Sequence, residues 1–588
     1  MDFNRFKSFF LPCVAMAGMF ALSGCTDSDY DFNEIDATMG FGSDGLTLPV
    51  NSTDTIKLAD VLELDGSDCV VEKSNGDYVF EQKGETVDPV HPEIDKITVS
   101  KSGEPQEGEI VLKVVPIPGG TGFTISAEGD AQTFTYSGDK PAEVKSLSYV
   151  GTDATMNLTV TFPSELSSAV SSIGSLTMQL PAYMDISNVT ASTACTVSGS
   201  TLVFANIPTS RNLTVSANVT GLDFKASDKS LGSVEIAGDK VDMSGTIRVA
   251  VTATVTGGTG VTGVNGAMIR SSFTMDDIVV ENARGVFDPE INLDDLGSVD
   301  ITGVPEFLTD GDVWVDLYNP VIDLSVSNNM AVGGFISGTI TSYKDGVKLK
   351  SIDVSDIPVN PSGTTNVCIC RRKDGINTAE YDVVRDYADL SELIRTIPDR
   401  ITFSASARAD ASKESSFKLG RHRQYEVRPE YSFMAPIMFD QNASIVYKDT
   451  LDGWHEDIED FELAKGSYIN LSTTIENRVP AYLNVDVTPI DVDGNAMGSD
   501  EISVEVSNSV LASGDGEKST ETPLSVDIKQ NKDGALSRLD GLVFHVSAKA
   551  SEDGQKPVTG VTLNARKHFL IARDIKVKFV GTVIGDFN

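Results

Sequence analysis

Two tryptophans and five histidines in 588 residues leave little material for catalysis or for stacking on sugars. None of His91, His422, His455, His545 and His568 lies in a metal or triad motif, and no G-x-S-x-G elbow occurs. The expectation is a non-catalytic protein, with no catalytic residue, no cofactor and no metal site. Acid pairs of the glycosidase kind are undiagnostic where 86 Asp and Glu are available. Basic residues are few by comparison, at 46. A field of this sign repels DNA, RNA and anionic head groups, which argues against nucleic-acid partners and electrostatic docking on membranes.

Cysteine is equally sparse. Of six, Cys13 and Cys25 sit near the start, leaving Cys69, Cys195, Cys368 and Cys370. Cys368-Ile369-Cys370 lies in a strand-like apolar run, so both sulfurs share a face and bridging them would strain the backbone. Buried free thiols are expected. No second pair at ligand spacing accompanies them, so they carry no metal motif.

Long apolar runs are missing with one exception. Phe9 to Leu22 is a 14-residue stretch that includes Pro12, short of the ~20 residues a spanning helix needs. Arg5 and Lys7 precede it and Leu22-Ser23-Gly24-Cys25 ends it, which is the n-region, h-region and small-residue order of a leader closed by a lipidatable cysteine. This start resembles bacterial lipoprotein signals. The resemblance implies removal of residues 1–24 and lipidation of Cys25, with several acyl chains anchoring firmly where one would be marginal. Thr26-Asp27-Ser28-Asp29-Tyr30-Asp31, with Glu34 and Asp36, is similar to the acidic export signal of surface-exposed Bacteroidota lipoproteins. That implies an outer-membrane protein facing outward, with a periplasmic face as the alternative. Residues 25–45 are then a lipidated, acidic tether reaching at most ~65 Å at about 3.3 Å per residue. Loss of Asp2, Arg5 and Lys7 turns 46 basic and 86 acidic residues into 44 and 85, a formal charge of −41.

The remainder is written in period two. Met156, Leu158, Val160 and Phe162 alternate with polar residues, as do Leu213, Val215, Ala217 and Val219, and Ile247 through Val255. Between such runs stand Asn75-Gly76, Asp345-Gly346, Asp493-Gly494, Asp533-Gly534 and Asp553-Gly554, dipeptides that tolerate the positive φ of tight hairpins. The fold class is therefore all-β, in tandem antiparallel β-sandwiches. Short helices are expected only near Pro163 to Ile173 and over Asp389 to Ile397, stopped by Pro398. Composition shifts place domains at 46–140, 141–228, 229–425 and 426–588.

Two segments are related. Ile322-Asp-Leu-Ser-Val-Ser-Asn-Asn-Met, followed by strands and Asp345-Gly346, matches Ile469-Asn-Leu-Ser-Thr-Thr-Ile-Glu-Asn-Arg-Val-Pro, followed by strands and Asp493-Gly494. The pattern resembles the small β-sandwich of late-embryogenesis-abundant-type proteins and implies a duplicated domain; no functional residue carries over.

Other motifs lack their context. Gly258-Thr-Gly260-Val-Thr-Gly263 follows a strand, but no helix opens after it, so it reads as a hairpin loop. Asp491-Val-Asp493-Gly-Asn495 begins like a calcium loop, yet Ala496 and Ile502 stand where glycine and a bidentate acid belong, and a β-turn is expected. The densest chemistry lies in the acidic segment holding Asp452, Trp454, His455, Glu456 and Asp457. It is a candidate ligand loop for calcium or a glycan, set against a solvated loop whose Trp454 plugs a core edge. Alternation likewise places Trp314 on a buried face. Arg421, His422, Arg423, Tyr425 and Arg428 form a basic patch expected to be ion-paired. Three functions follow: a structural or adhesive surface lipoprotein meeting a protein or glycan partner, a glycan-binding accessory of an outer-membrane uptake system, and a secreted glycosidase.

Overall fold

The computed structural model describes residues 36–586, apart from 50–51, 54, 60–68, 85–86, 257–260, 262, 294–296, 305–307, 309–312, 422 and 456–460. Among the described residues the strands form six sheets, paired antiparallel except where Val383–Asp386 runs parallel to Gly363–Cys370. The alternation read from the sequence is the burial pattern of the strands: in Leu213–Asp223, Leu213, Val215, Ala217 and Val219 face inward. Among the described residues helix occurs only in short connections such as Ser164–Ala169 and the 3-10 turn Leu390–Leu393. The chain is all-β.

The sheets pack in pairs as three sandwiches. In the first, Gly122–Asp139, Ser172–Gln179, Thr201–Pro208 and Lys240–Thr256 oppose Val144–Thr161, Leu213–Asp223 and Met268–Met275, closing on Ile125, Leu158, Leu176 and Phe204. The middle one sets Val321–Asn328, Gly363–Cys370 and Val427–Pro436 against Gly334–Lys344, Val347–Val359 and Arg400–Ala409. The third sets Tyr468–Asn477, Thr520–Gln530 and Phe569–Asp586 against Ser444–Leu451, Tyr482–Asp491 and Leu539–Lys549. Their cores are continuous end to end. Met330, Val332 and Ile336 of the middle sandwich belong to the core of the first, while Val479, Leu483 and Val510 of the third pack with Ile437 and Phe439 in the core of the middle one.

The chain runs out along this stack and back. Asp36–Pro49 pairs with Phe569–Asp586 in the third sandwich, Tyr78–Lys83 with Val427–Pro436 in the middle one, and Ile97–Lys101 enters the first. Pairing therefore crosses the expected seams. The tether drawn over 25–45 is strand from Asp36 onward. Gly122–Asp139 pairs along its length with Lys240–Thr256, across the boundaries placed at 140 and 228, and Val427–Pro436 lies in the middle sandwich rather than beyond a break at 425. Composition records which residues prefer strands but not which remote edges meet.

The middle and third sandwiches repeat one design. Val321–Asn328 and Tyr468–Asn477 each end in a buried asparagine. Asn328 Nδ2 donates to the carbonyls of Val332 (2.9 Å) and Asn360 (3.0 Å), while its Oδ1 accepts the Met330 N–H at 2.9 Å. Asn477 does the same with Ala481 (3.1 Å), Leu511 (2.8 Å) and Val479 (2.7 Å). The match extends further: Thr365 Oγ1 accepts the Asn360 N–H at 2.8 Å, as Thr522 Oγ1 accepts that of Leu511 at 3.0 Å. Two local contacts, one that reaches more than thirty residues along the chain and the threonine contact beside it coincide, so the two segments share one structural design rather than turn chemistry alone.

Candidate functional site

The acidic loop is held by a residue the sequence did not flag. Asp540, in the strand Leu539–Lys549, accepts the Gly453 N–H at 3.0 Å through Oδ2 and the His455 N–H at 3.1 Å through Oδ1, while its carbonyl accepts the Trp454 N–H at 2.9 Å. Gly453 makes the bend at φ +79°. His455 Nδ1 lies 2.9 Å from the Ser537 carbonyl, which requires the proton on that nitrogen. Trp454 is 6% exposed and packs with Met497, Ile502, Leu536 and Leu539. A ring so buried cannot stack on a sugar face. Of the candidate ligand residues, Asp452 is exposed beside this plug, and Glu456 and Asp457 lie outside the described residues, as does Cys25. Nothing local signals Asp540, which stands 85 positions from His455.

Trp314 corrects the sequence reading. It is 47% exposed while Val313 and Val315 take the core positions, because the alternation there runs in the opposite phase. The Arg395 guanidinium covers one ring face at 4.0 Å from the centroid. The turn at Asp491 behaves as expected: Oδ1 accepts the N–H groups of Asp493 (3.1 Å) and Asn495 (2.8 Å), and Gly494 sits at φ +76°. In the basic patch, Arg428 pairs with Glu426 at 2.8 Å and Arg421 approaches Glu281 at 3.8 Å. Gly258 and Gly260, like His422, fall outside the described residues.

Cys69, Cys195, Cys368 and Cys370 are free thiols, and all but half-buried Cys195 are enclosed. Burial, with Cys370 beside it, pushes the Cys368 thiol up to about 12, so it stays protonated and is not a nucleophile. Among the described residues no group of three or more His, Cys, Asp or Glu is placed to hold a metal ion.

The densest buried charge lies where the middle and third sandwiches meet. Arg371 pairs with Asp316 at 2.9 Å and with Asp440 at 3.0 Å, Arg372 pairs with Asp440 at 2.6 Å, and Asn442 Nδ2 reaches Asp316 at 3.2 Å. Burial opposes the Asp440 carboxylate, yet the Arg372 hydrogen bond and the nearby guanidinium charges outweigh it and hold its pKa below the ordinary value. The donors and acceptors are mutually satisfied, so this cluster is a fastening between repeats. Beside it lies a cavity of about 40 Å³ lined by Phe80, Val315, Leu317, Ile394, Ile437 and Phe439. It is wholly apolar and has room for little more than one small molecule.

These features define an all-β protein of stacked, duplicated sandwiches whose buried polar groups fasten the stack. No helix among the described residues is long and apolar enough to cross a membrane, which says nothing of β-barrels. No protein-family model matches the chain, and no curated protein matches it. Among solved structures it is similar to a Parabacteroides distasonis protein classed by inference as secreted, at 13% identity and a TM-score of 0.35 over 51% of this chain and 89% of that one. A structure of Sulfolobus turreted icosahedral virus (10% identity, TM-score 0.11, 83% and 92% covered) and one of infectious bursal disease virus (9%, 0.13, 90% and 90%) are also similar. Likenesses this low carry no functional argument.

Proposed function

We propose that the protein is a lipid-anchored outer-membrane surface protein, moored through Cys25 and facing outward, with a structural or adhesive role and no catalysis. The observation that supports this reading is the path of the chain. The strand nearest Cys25, Asp36–Pro49, lies in the third sandwich, and the first sandwich, residues 97–287 with Ser415–Lys418 paired onto them, is reached only through the middle one. An anchor at Cys25 would thus hold the first sandwich outermost. Strands of about ten residues rise about 33 Å at ~3.3 Å per residue, so three stacked sandwiches extend on the order of 100 Å. The leash left between Cys25 and Asp36 spans residues 26–35, at most ~33 Å. Duplicated sandwiches, of the late-embryogenesis-abundant type in this proposal, serve as spacers.

The glycan-accessory reading requires exposed aromatic pairs. The exposed aromatics among the described residues, Tyr149 and Trp314, lie in different sandwiches, so the structural or adhesive reading is preferred. The test is fractionation of native cells with Cys25→Ala. The native chain is expected in the outer-membrane fraction and cleaved by protease added to intact cells, and the variant in the soluble fraction. A variant that still sediments with envelopes overturns the anchor, and a native chain protected on intact cells overturns outward display.

A further inference from the structure

The reversing turn that precedes the last strand binds the turn that opens the strand Tyr78–Lys83. Asn564 is its centre. Its Nδ2 donates to the Asn75 carbonyl at 3.1 Å and to Asp77 Oδ1 at 2.8 Å, and its Oδ1 accepts the N–H groups of Arg566 (2.9 Å) and Lys567 (3.0 Å). Backbone bonds run alongside: Ala565 N–H to the Gly76 carbonyl at 2.8 Å and Tyr78 N–H to the Leu563 carbonyl at 2.9 Å. Arg566 adds hydrogen bonds to Glu72 at 3.0 Å and to the Ser74 carbonyl at 3.1 Å. Residues almost five hundred positions apart are fastened here, where the N-terminal segment crosses from the third sandwich to the middle one.

His568 underpins the turn. It is 2% exposed, and its Nδ1 accepts the Asn564 N–H at 3.0 Å. Because that nitrogen accepts, the neutral ring must carry its proton on Nε2. Nε2 faces Gly516 so closely that a Cβ on that glycine would lie 2.6 Å from it. A second ring proton can go only on Nδ1, where it would oppose the Asn564 N–H, donor against donor.

We infer that His568 is an acid-sensitive clasp: its protonation at Nδ1 breaks the Asn564 turn and releases residues 72–78 from the third sandwich. Burial first, with the neighbouring cations Arg478 and Lys567 and against the opposite pull of Glu517 and Asp77, lowers the histidine pKa to about 4. The clasp is therefore complete near neutrality, weakens as pH falls below the ordinary histidine value near 6.5, and reaches its full loss below about 4. A displacement of roughly 2.5 pH units corresponds to about a 300-fold weakening of the closed form.

Cys69, buried next to the strand Val70–Glu72, reports the opening, and Cys368, deep in the middle sandwich, reports global unfolding. Thiol labelling with dithiodipyridine, which reacts at acid pH, is followed by mass spectrometry from pH 7 to 3. The native chain is expected to label at Cys69 with a midpoint near pH 4 while Cys368 stays protected. His568→Asn, whose Oδ1 stands where Nδ1 does and can accept from Asn564 but is not protonated, is expected to hold Cys69 closed. Equal opening in His568→Asn, Cys368 labelling in the same step, a midpoint that follows Asp77→Asn instead, or no opening of Cys69 would each overturn the inference. The clasp stands independently of the lipid anchor.

Discussion

Replacing Asn477 by alanine removes three hydrogen bonds at once. The Val479 N–H and the Ala481 carbonyl lose this partner in a place where Val479 and Ala481 are buried and Asn477 itself is fully enclosed, while the Leu511 carbonyl keeps the Thr520 hydroxyl at 2.8 Å. Each orphaned buried group costs about 1–3 kcal/mol, so the two together should cost about 2–6 kcal/mol. That is a large part of the ~5–15 kcal/mol that holds a domain folded. At a urea slope of about 2 kcal/mol/M, the midpoint of the third sandwich should fall by roughly 2 M. Trp454 lies in that core, so its fluorescence in a Trp314→Phe background follows this sandwich alone. Asn477→Asp sharpens the test. Its carboxylate can still accept from Val479 but sits against two carbonyl oxygens, so its pKa must rise above the unfolded value. The stability it contributes relative to Asn477→Ala is then present at low pH and lost as pH rises through that raised pKa. A midpoint shift no larger than the ~0.5 kcal/mol typical of surface substitutions would refute the cradle as a structural element.

Val315→Ile should occupy part of the 40 Å³ cavity, and at about 24 cal/mol per Å³ the gain is at most about 1 kcal/mol, seen as a small rise in Tm; a fall would show that the surroundings cannot accept the methyl group. Asp540→Ala should leave the Gly453 and His455 N–H groups unbonded, cost about 1–3 kcal/mol and red-shift Trp454 emission as the loop lifts. Unchanged emission would mean that packing alone holds the ring.

What was legible in the sequence was local. Alternation at Leu213 to Val219 and the Asp-Gly turns describe neighbours within a few positions, and physics at that range is decided by propensity and burial. The asparagine pair was legible for the same reason, since the i+2 and i+4 contacts recur with the residues themselves. Trp314 was misread because a short run with valine on either side of a tryptophan offers two phases, and only the packing of Val313 and Val315 selects one. The acidic loop attracted a ligand reading from its composition, but its structure depends on Asp540, and no local pattern ties the two segments. Domain seams failed for a related reason: the pairing of Gly122–Asp139 with Lys240–Thr256 is a match between edges separated by more than a hundred residues.

The N-terminal segment does more than connect. In each repeat the strand beyond the asparagine-bearing one and its neighbour is borrowed from the start of the chain: Tyr78–Lys83 lies beside Val427–Pro436, and Asp36–Pro49 beside Phe569–Asp586. An uncovered strand there would present a row of unpaired backbone groups to other chains. Both strands are instead paired by a segment that begins about ten residues after Cys25, and its own strands Asp36–Pro49 and Val70–Glu72 take the edge positions. Any pull on an anchor at Cys25 would then act first on the pairing of Asp36 with Asp586, near the final residues of the chain, and reach the first sandwich only through the fastened joints at Asn564 and Arg371. The polar clusters at those joints, Asn564 with Asp77 and Arg371 with Asp316 and Asp440, join segments far apart in sequence, whereas the acidic loop around Trp454 that drew a ligand reading lies at neither.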